Sequence, residues 1–598
     1  MRDPIGLVHR SRARGAVTLL LAASVLPRGI RRGLARPLAP ALERRADTHP
    51  RSRFVPPAAF IARWAAGPAS DAAVLAQRLG TAPSVDPRAR RSLASLAHAA
   101  RMRHAADAIV RSAQDDASPD LEFLRARLAF GGGEYRRAIA HAQVAAAAGI
   151  VGAAELADQA VGHLTVLEPG WLPDLGAAGV RLAAGKGRAV KGRVLHLVSI
   201  SLPYREVGYT VRTQSVVRCQ AGAGLDPHVV TRAGFPRTEG IRRAPTERPV
   251  DGIPHHFVAP DDVLVDRPDR LLARSARLTT ALLEELRPAV LQPASNHLQA
   301  QTALALARPL GIPVVYEVRG FWEESWISRA HADEAAAMET DRYRGTREVE
   351  TAAMLASDAV VTLSEVMRAE IIARGCAPEN VVVVPNAVEV ETFVPRPRDD
   401  ALGASLGIRV DDVVVGYISS FNAYEGIPYL LEAVAALRPQ VPRLRVLLVG
   451  DGDESETIRE AGRRLGLDDG TLVMPGRVPH AQVLGYYSLI DVFVVPRTAD
   501  RVSRLVTPLK PYEAMALERA VVVSDLPALR EIVHPDETGL TFRAEDPDDL
   551  ASVLGRLIED PALRRRLGSQ AREWILAERT WTANGRRYRE LFERLGVV

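Results

Sequence analysis

Thr507-Pro508-Leu509-Lys510-Pro511-Tyr512-Glu513-Ala514-Met515-Ala516, followed by the apolar run 520–523 and by Ser524-Asp525-Leu526-Pro527, decides the fold. It reads as a loop entering a helix, a short buried strand and a second loop, so Glu513 stands at the start of a helix facing the open end of a parallel sheet. In open α/β sheets that edge binds ligands. A carboxylate there accepts hydrogen bonds from ribose hydroxyls, while N–H groups at a helix start hold phosphate.

Working outward, the alternation of strand and helix repeats on both sides of this stretch. Arg193-Val194-Leu195-His196-Leu197-Val198-Ser199 is a buried strand, and a helix is expected over 210–221. Strands over 228–231, 290–292, 314–317, 359–363 and 381–385 then complete one Rossmann-like lobe of six strands. After Pro395-Arg396-Pro397-Arg398 the scheme recurs, with strands expected over 413–419, 445–449, 471–474, 492–495 and 521–523. Two such lobes in one chain enclose a cleft between facing sheet edges. The loop 235–266 of the first lobe carries no readable code.

The stretch before the first lobe is different in kind. Residues 56–184 are Ala-rich with apolar residues at helical spacing, as in Leu121, Leu124 and Leu128. This is a helical region. The piece 128–142, broken at Gly131-Gly132-Gly133 and restarted at Tyr135, looks like one degraded tetratricopeptide-type helix pair. Such a region either packs on the two lobes or binds a protein partner.

Composition bounds the rest. The 598 residues, 47% hydrophobic and 25% charged, suit a globular chain of several domains. Cys219 and Cys376 are the only cysteines, which provides neither a disulfide framework nor a thiolate cluster for zinc. The formal charge of +5 is unevenly spread: residues 1–53 hold twelve Arg against Asp3, Glu43 and Asp47. That arm, beside the apolar run 15–26, suggests attraction to an anionic inner membrane leaflet, although the run is shorter than the ~20 residues that span a bilayer. The same run flanked by Arg10, Arg12 and Arg14 has the shape of a signal-peptide core. Its Arg-rich sequel and poor cleavage signal favour a cytoplasmic protein with peripheral membrane contact. No nucleic-acid partner is expected.

The opening segment closely resembles the nucleotide-sugar signature of the family 4 glycosyltransferases, whose fold is called GT-B. The resemblance covers about residues 192–595. The family's Pro-Asn motif stands here as Val384-Pro385-Asn386 running on to Phe393-Val394-Pro395, which implies that Asn386 fixes the interdomain hinge. Gly208 and Tyr209 fall where the family brings a backbone N–H to phosphate or acceptor. Gly476-Arg477-Val478-Pro479-His480 resembles the segment that reads the nucleobase, and Thr507, Leu509, Lys510 and Glu513 belong to the donor signature.

Three departures stand out. The Arg and Lys that usually grip the donor diphosphate are replaced by Ser420 and Glu425, just before Gly426, and Glu425 is expected to add repulsion. The first of the usual Glu pair falls on Leu505, so only Glu513 is kept. The usual His after the fourth strand is Arg319, which is no general base but stabilises charge on a leaving phosphate. Replacement cations are expected from Arg497, Arg501, Arg504 and Lys510. Asp451-Gly452-Asp453 imitates a metal motif but reads as turn chemistry.

These readings specify an α/β GT-B protein preceded by an all-α region. The expected divisions are residues 1–55 (basic arm), 56–188 (helical), 189–395 (acceptor lobe), 396–580 (nucleotide-sugar lobe) and 581–598 (crossover helix). The resemblance implies a retaining transfer from a nucleotide-sugar donor to an unknown acceptor, without metal or other cofactor. Arg319, Arg501 and Arg504 are the expected catalytic groups. Ser420, Gly426, Arg477, Val478, His480, Arg497, Thr507, Leu509, Lys510 and Glu513 are expected at the donor. The alternative is a non-catalytic GT-B scaffold in a polysaccharide assembly complex, motivated by the lost Arg/Lys pair, first Glu and His. An epimerase or a glycogen phosphorylase-like enzyme on the same fold is a weaker option, and the latter would need a pyridoxal-phosphate lysine context that is not seen.

Overall fold

The computed structural model describes residues 39–48, 55–66, 69–82, 84–100, 102–185, 187–262, 267–330 and 334–598. Most of the basic arm, including the apolar run 15–26, therefore lies outside the described residues. Among the described residues no helix is long and apolar enough to cross a membrane. The chain divides into two compact units, residues 1–165 with 339–342, and residues 166–338 with 343–598.

The first unit is built of helices. Phe60, Leu75, Leu93, Leu96, Ile109, Leu121 and Leu124 form its core, and the many alanines let helix axes approach closely: a Cβ on Gly80 would meet Ile109 at 2.5 Å. Asp86 caps the Pro87–Ala99 helix by accepting from the N–H of Arg88 and Ala89. The glycine run ends the Pro119–Gly131 helix, and Tyr135 opens Tyr135–Ala147. These two helices are tied by His141 Nδ1 to Glu122 at 2.6 Å, with Arg125 on the same carboxylate.

In the second unit the first lobe contains β1 (Val190–Val198), β2 (Asp226–Thr231), β3 (Glu247–Val250), β4 (Ile253–Phe257), β5 (Pro288–Pro293), β6 (Val315–Glu317), β7 (Ala359–Thr362) and β8 (Val381–Val383). The order β3-β4-β2-β1-β5 continues into β6-β7-β8 through parallel bridges Leu291 to Val314 and Ala294 to Glu317. Only β3 runs antiparallel to its neighbour. Along β1 successive side chains take opposite faces. Val194 packs with Val216, Tyr588 and Phe592, and Leu195 and Leu197 pack with Leu283 and Leu306.

The second lobe is a sheet of β9 (Val413–Ile418), β10 (Leu444–Val449), β11 (Leu472–Gly476), β12 (Val492–Val495), β13 (Ala520–Ser524) and β14 (Leu540–Phe542), ordered β11-β10-β9-β12-β13-β14 and parallel throughout. Its strands are continuous apolar runs because helices cover both faces. The terminal helix Trp581–Arg594 lies back on the first lobe. Asn584 donates to Pro385 O at 2.9 Å and Arg589 to Ala223 O at 2.9 Å, and Gly585 lets the helix close on Cys219 O.

Several expectations are corrected. The first lobe has eight strands rather than six, since the loop 235–266 holds the β3-β4 hairpin, turned at Asp251-Gly252 with φ of 49° and 79°. Asp-Gly is a strong hairpin signal, but Pro249 and the charged Glu247 and Arg248 disguise β3 as loop, as suits an edge strand. β14 is three residues long and left no periodicity to read. The helix expected from 210 begins at Gly208. The helical unit ends at residue 165 rather than 188, because Leu175 and Leu182 pack against Leu195 and Leu197 of the first-lobe sheet.

Five histidines are buried in the first lobe: His196, His228, His255, His256 and His297. His196 bonds Gln220 at 2.7 Å, and burial holds its pKa down to about 4. His255, bonded to Gln214 at 3.1 Å, is likewise lowered by burial to about 4. The unfolded chain therefore binds protons between pH 6.5 and 4 that the folded lobe refuses. Stability is complete above about pH 6.5 and falls as the pH drops toward 4, by up to about 2 kcal/mol per histidine at pH 5. Hydrogen exchange corrected for its intrinsic pH dependence should show loss of protection in β1 and β5 between pH 7.5 and 5. The second-lobe sheet, with no buried histidine among the described residues, should change less. Equal change in both sheets would contradict this account.

Candidate active site

The carboxyl ends of β1, β5, β6, β9 and β12 converge on a cavity of about 330 Å³. It lies at the sheet edge where the strand order reverses in each lobe, the usual crevice of open α/β sheets. The first lobe contributes Gly208, Tyr209, Arg212, Ser295 and Arg319, with Trp322 and Asn386 beside them; the second contributes Tyr424, Arg497, Val506, Thr507 and Leu509.

Glu317, at the end of β6, is the centre of the first-lobe wall. Its fully buried carboxylate accepts from Arg212 Nε at 2.9 Å, Arg319 Nη2 at 2.9 Å and Gln292 Nε2 at 3.2 Å. Burial opposes ionisation, yet the Arg319 and Arg212 guanidiniums hold the carboxyl down to about 2. Two guanidiniums share one carboxylate, so the wall keeps one net positive charge. Arg319 is fixed further by Tyr209 O at 3.0 Å and Thr213 Oγ1 at 2.8 Å, and it lies over the Tyr209 ring at 4.8 Å. Its side chain is 7% exposed and its Nε has no hydrogen-bond partner. The Gly208–Gly222 helix starts at the same wall, so the N-terminal end of its dipole adds to the positive potential. A Cβ on Gly208 would touch only Leu509, at 3.8 Å, which leaves the helix start open to the cavity.

Asn386 joins the lobes. Its Oδ1 accepts from Arg212 at 2.8 Å and its Nδ2 donates to Thr507 O at 3.1 Å. Arg212 also donates to Val384 O at 2.9 Å, which binds the wall cation to the chain crossing between lobes.

The second-lobe wall overturns the expectation for Glu425. That carboxylate does not face a diphosphate. It is 4% exposed, pairs with Arg497 at 3.1 and 3.2 Å, and accepts from the Tyr417 hydroxyl. Burial works against the charge on Arg497, but Glu425 more than restores it and raises the guanidinium pKa. Gly426 permits this arrangement, with φ of 65° and a backbone so close to β12 that a Cβ would meet Pro496 O at 1.9 Å. Gly426 is thus a packing glycine, removed from the cavity lining. Arg497 remains in the wall with its charge matched by Glu425 and with Nη1 on Val506 O at 3.0 Å.

Arg501 and Arg504, expected as catalytic cations, are not part of the cavity lining. Asp500 caps the short helix Arg501–Leu505, which turns Arg501 toward Glu324 at 2.8 Å and Glu370 at 3.4 Å on the first lobe. Arg504 is exposed and donates to Ala499 O at 2.7 Å. Lys510 pairs with Glu513 at 3.1 Å, and Tyr487 donates to the same carboxylate at 2.8 Å. Neither Lys510 nor Glu513 is part of the lining. Ser420 is exposed on the loop after β9, and Arg477 reaches Glu206 O of the first lobe at 3.4 Å, with Val478 next to it. The His480 backbone opens the His480–Gln482 turn; its side chain lies outside the described residues. Of the expected site residues, then, Gly208, Tyr209, Arg319, Asn386, Arg497, Thr507 and Leu509 line one cavity.

Arg212, Trp322 and Tyr424 line it without having been singled out in the sequence. For Arg212 there was a signal: it stands four residues after Gly208, one helical turn on, where it reaches back under the same sheet edge. Among the described residues no group of three or more His, Cys, Asp or Glu is placed to hold a metal ion. Asp451 is engaged by Gly452 N at 2.9 Å and Ser455 Oγ at 2.6 Å, donors that lower its pKa.

Two Rossmann-like lobes meeting over a cationic cleft, with the C-terminal helix returned to the first lobe, define the GT-B arrangement. Residues 207–387 match the family profile described as "Glycosyl transferase 4-like domain" and 399–574 that described as "Glycosyl transferases group 1", together about three fifths of the chain. The chain belongs to the family 4 glycosyltransferases, enzymes of the EC 2.4 class. It is 27% identical over 364 residues to the D-inositol 3-phosphate glycosyltransferase of Kineococcus radiotolerans, covering 56% of this chain and 80% of that one. Among solved structures it is similar to the sucrose-phosphate synthase of Thermosynechococcus elongatus, with TM-score 0.56, 22% identity, and 67% and 98% of the two chains covered. It also resembles Anabaena HepE in complex with UDP-glucose, with TM-score 0.53, 16% identity, and 67% and 99% covered.

The Glu425 pairing yields a stability prediction. Glu425→Gln leaves Arg497 buried without a counter-charge, which should cost about 3 kcal/mol. For a lobe of this size that is a fall in Tm of roughly 6–12 °C in calorimetry. A Tm within about 2 °C of wild type would show that the pair is not needed to hold Arg497.

Proposed function

We propose that the chain transfers a sugar, with retention, from a nucleoside diphosphate sugar to a hydroxyl acceptor in this cleft, without a divalent cation. The observation that carries the reading is the Arg212–Glu317–Arg319 cluster: one net positive charge, desolvated and rigid, beside the open start of a helix. In such surroundings a fixed cation favours charge that develops on a leaving diphosphate more than the ground-state charge, and it acts without reorganising. Gly208 and Tyr209 supply backbone N–H groups for the phosphates. Glu513, oriented by Lys510 and Tyr487, accepts from the ribose hydroxyls, and a phosphate oxygen of the leaving group takes the acceptor proton. The complex of the HepE fold with UDP-glucose supports a nucleotide-sugar donor.

The scaffold alternative was motivated by the lost Arg/Lys pair, first Glu and His; the Glu425–Arg497 pair removes the repulsion expected of Glu425, one part of that case. A role in polysaccharide assembly and contact of the basic arm with the inner membrane face remain part of the proposal for the cellular setting.

Thermal-shift and hydrolysis screens with UDP-, GDP- and ADP-sugars test the donor class, since a ligand bound to the folded state alone raises its stability. Arg319→Gln should lower kcat by about 10²-fold, roughly 3 kcal/mol, with a smaller change in nucleotide affinity. Arg504→Ala should stay within about three-fold of wild type, and parity of the two variants would remove Arg319 from the chemistry.

Glu513→Ala should weaken donor binding by about 2–3 kcal/mol through loss of charge-assisted hydrogen bonds. Calorimetric titration with the matching nucleotide measures it. Unchanged affinity would detach Glu513 from the ribose.

A further inference from the structure

Trp322 is the one exposed aromatic side chain among the described residues, 41% accessible, and it lines the cavity. Trp, Tyr and Phe side chains normally bury most of their large surface, so an indole left open at a cleft calls for a partner. The outward position is enforced from below. Phe321 is buried under the Arg374 guanidinium at 4.3 Å, Arg374 pairs with Glu323 at 2.8 Å, and Glu324 is held by Arg501 at 2.8 Å and by the Tyr343 hydroxyl at 3.1 Å. Both residues after Trp322 and the one before it are therefore anchored, which fixes the backbone that presents the indole at the cavity.

Its surroundings narrow the partner. The net positive charge of the Arg212–Glu317–Arg319 cluster at the same lining repels a cationic group. A nucleobase is expected at Arg477 and Val478, which lie outside the lining. A hydrocarbon tail would leave the surplus positive charge of the wall and the unpartnered Nε of Arg319 against apolar surface. A pyranose satisfies both demands: its C–H face packs on the indole, and its hydroxyls meet the polar groups around it.

We propose that Trp322 is a platform for a pyranose ring of the acceptor, so that the acceptor is a sugar or glycan rather than an acyclic alcohol. The inference rests on the glycosyltransferase reading of the cleft and assigns the acceptor's chemical class. Trp322 acts by positioning, through the flat face of its ring.

Saturation-transfer NMR on the full-length protein tests it, with the methyl α-glycosides of glucose, galactose, mannose and N-acetylglucosamine as probes and glycerol as the acyclic control. At least one glycoside should receive saturation, strongest on the C–H protons of one ring face, and glycerol should not. Trp322→Ala and Trp322→Leu should each weaken that glycoside's binding by about 10-fold or more, and Trp322→Phe should keep it within about three-fold. The Leu variant retains apolar bulk without the flat face, so it decides the case even if the Ala variant folds poorly. Absence of saturation on every glycoside, or equal binding by the Leu variant, overturns the proposal. So does loss of binding to phosphatidylglycerol vesicles in the Leu variant with glycoside binding intact, which would make the ring a lipid contact. Parallel titration with UDP, GDP and ADP separates the readings. Nucleotide binding without glycoside binding overturns the platform alone, and Trp322-dependent glycoside binding without nucleotide binding overturns the donor reading alone.

Discussion

A carboxylate with no access to water is the constraint around which this protein is arranged. Glu317 is ionised at the end of β6 only because Arg212 of the Gly208–Gly222 helix and Arg319 of the loop just after β6 close on it, and removing either would leave a buried charge poorly compensated. The three side chains fix the start of the Gly208–Gly222 helix against the sheet edge. Through Asn386 they also reach Thr507 of the second lobe. The cleft, the lobe crossing and the surplus positive charge are thus one piece of electrostatics.

The second lobe solves the same problem in the opposite sense. Arg497 is the buried group and Glu425 its counter-ion. A sequence comparison at position 425 alone sees a lysine's place taken by an acid and infers repulsion. The third dimension shows the acid bonded to a cation 72 residues later in the chain. Arg497 was visible in the sequence as a basic residue near the donor loop, but its partner was not, because ion pairs between separate βα loops leave no local spacing to read.

That contrast marks how far the sequence was legible. Lobe architecture could be read because the strands of parallel sheets are continuous apolar runs between turn residues, and β9, β12 and β13 stood close to where they were expected. Elements without such contrast escaped, namely the Pro-containing edge strand β3 and the three-residue β14, and the 177–184 helix, though read as helical, was assigned to the wrong unit. Within the site, backbone-defined positions such as Gly208, Asn386 and Thr507 were readable because their role depends on a loop of fixed length. The direction taken by a long side chain was not. Arg501 and Arg504 sit three residues apart on one turn, and the cap at Asp500 sends one into an interlobe ion pair and the other into solvent.

The contact between Gly426 and the Pro496 carbonyl brings positions 425 and 497 under joint control. Both side chains are buried where the two loops press together, so replacing either alone leaves the other's charge unmatched. A lineage changing between an acid and a base at position 425 would have to cross an intermediate with an unmatched buried ion, or alter both positions at once. The pair therefore behaves as a single inherited character, and a substitution at one member is informative only when read together with the residue at the other.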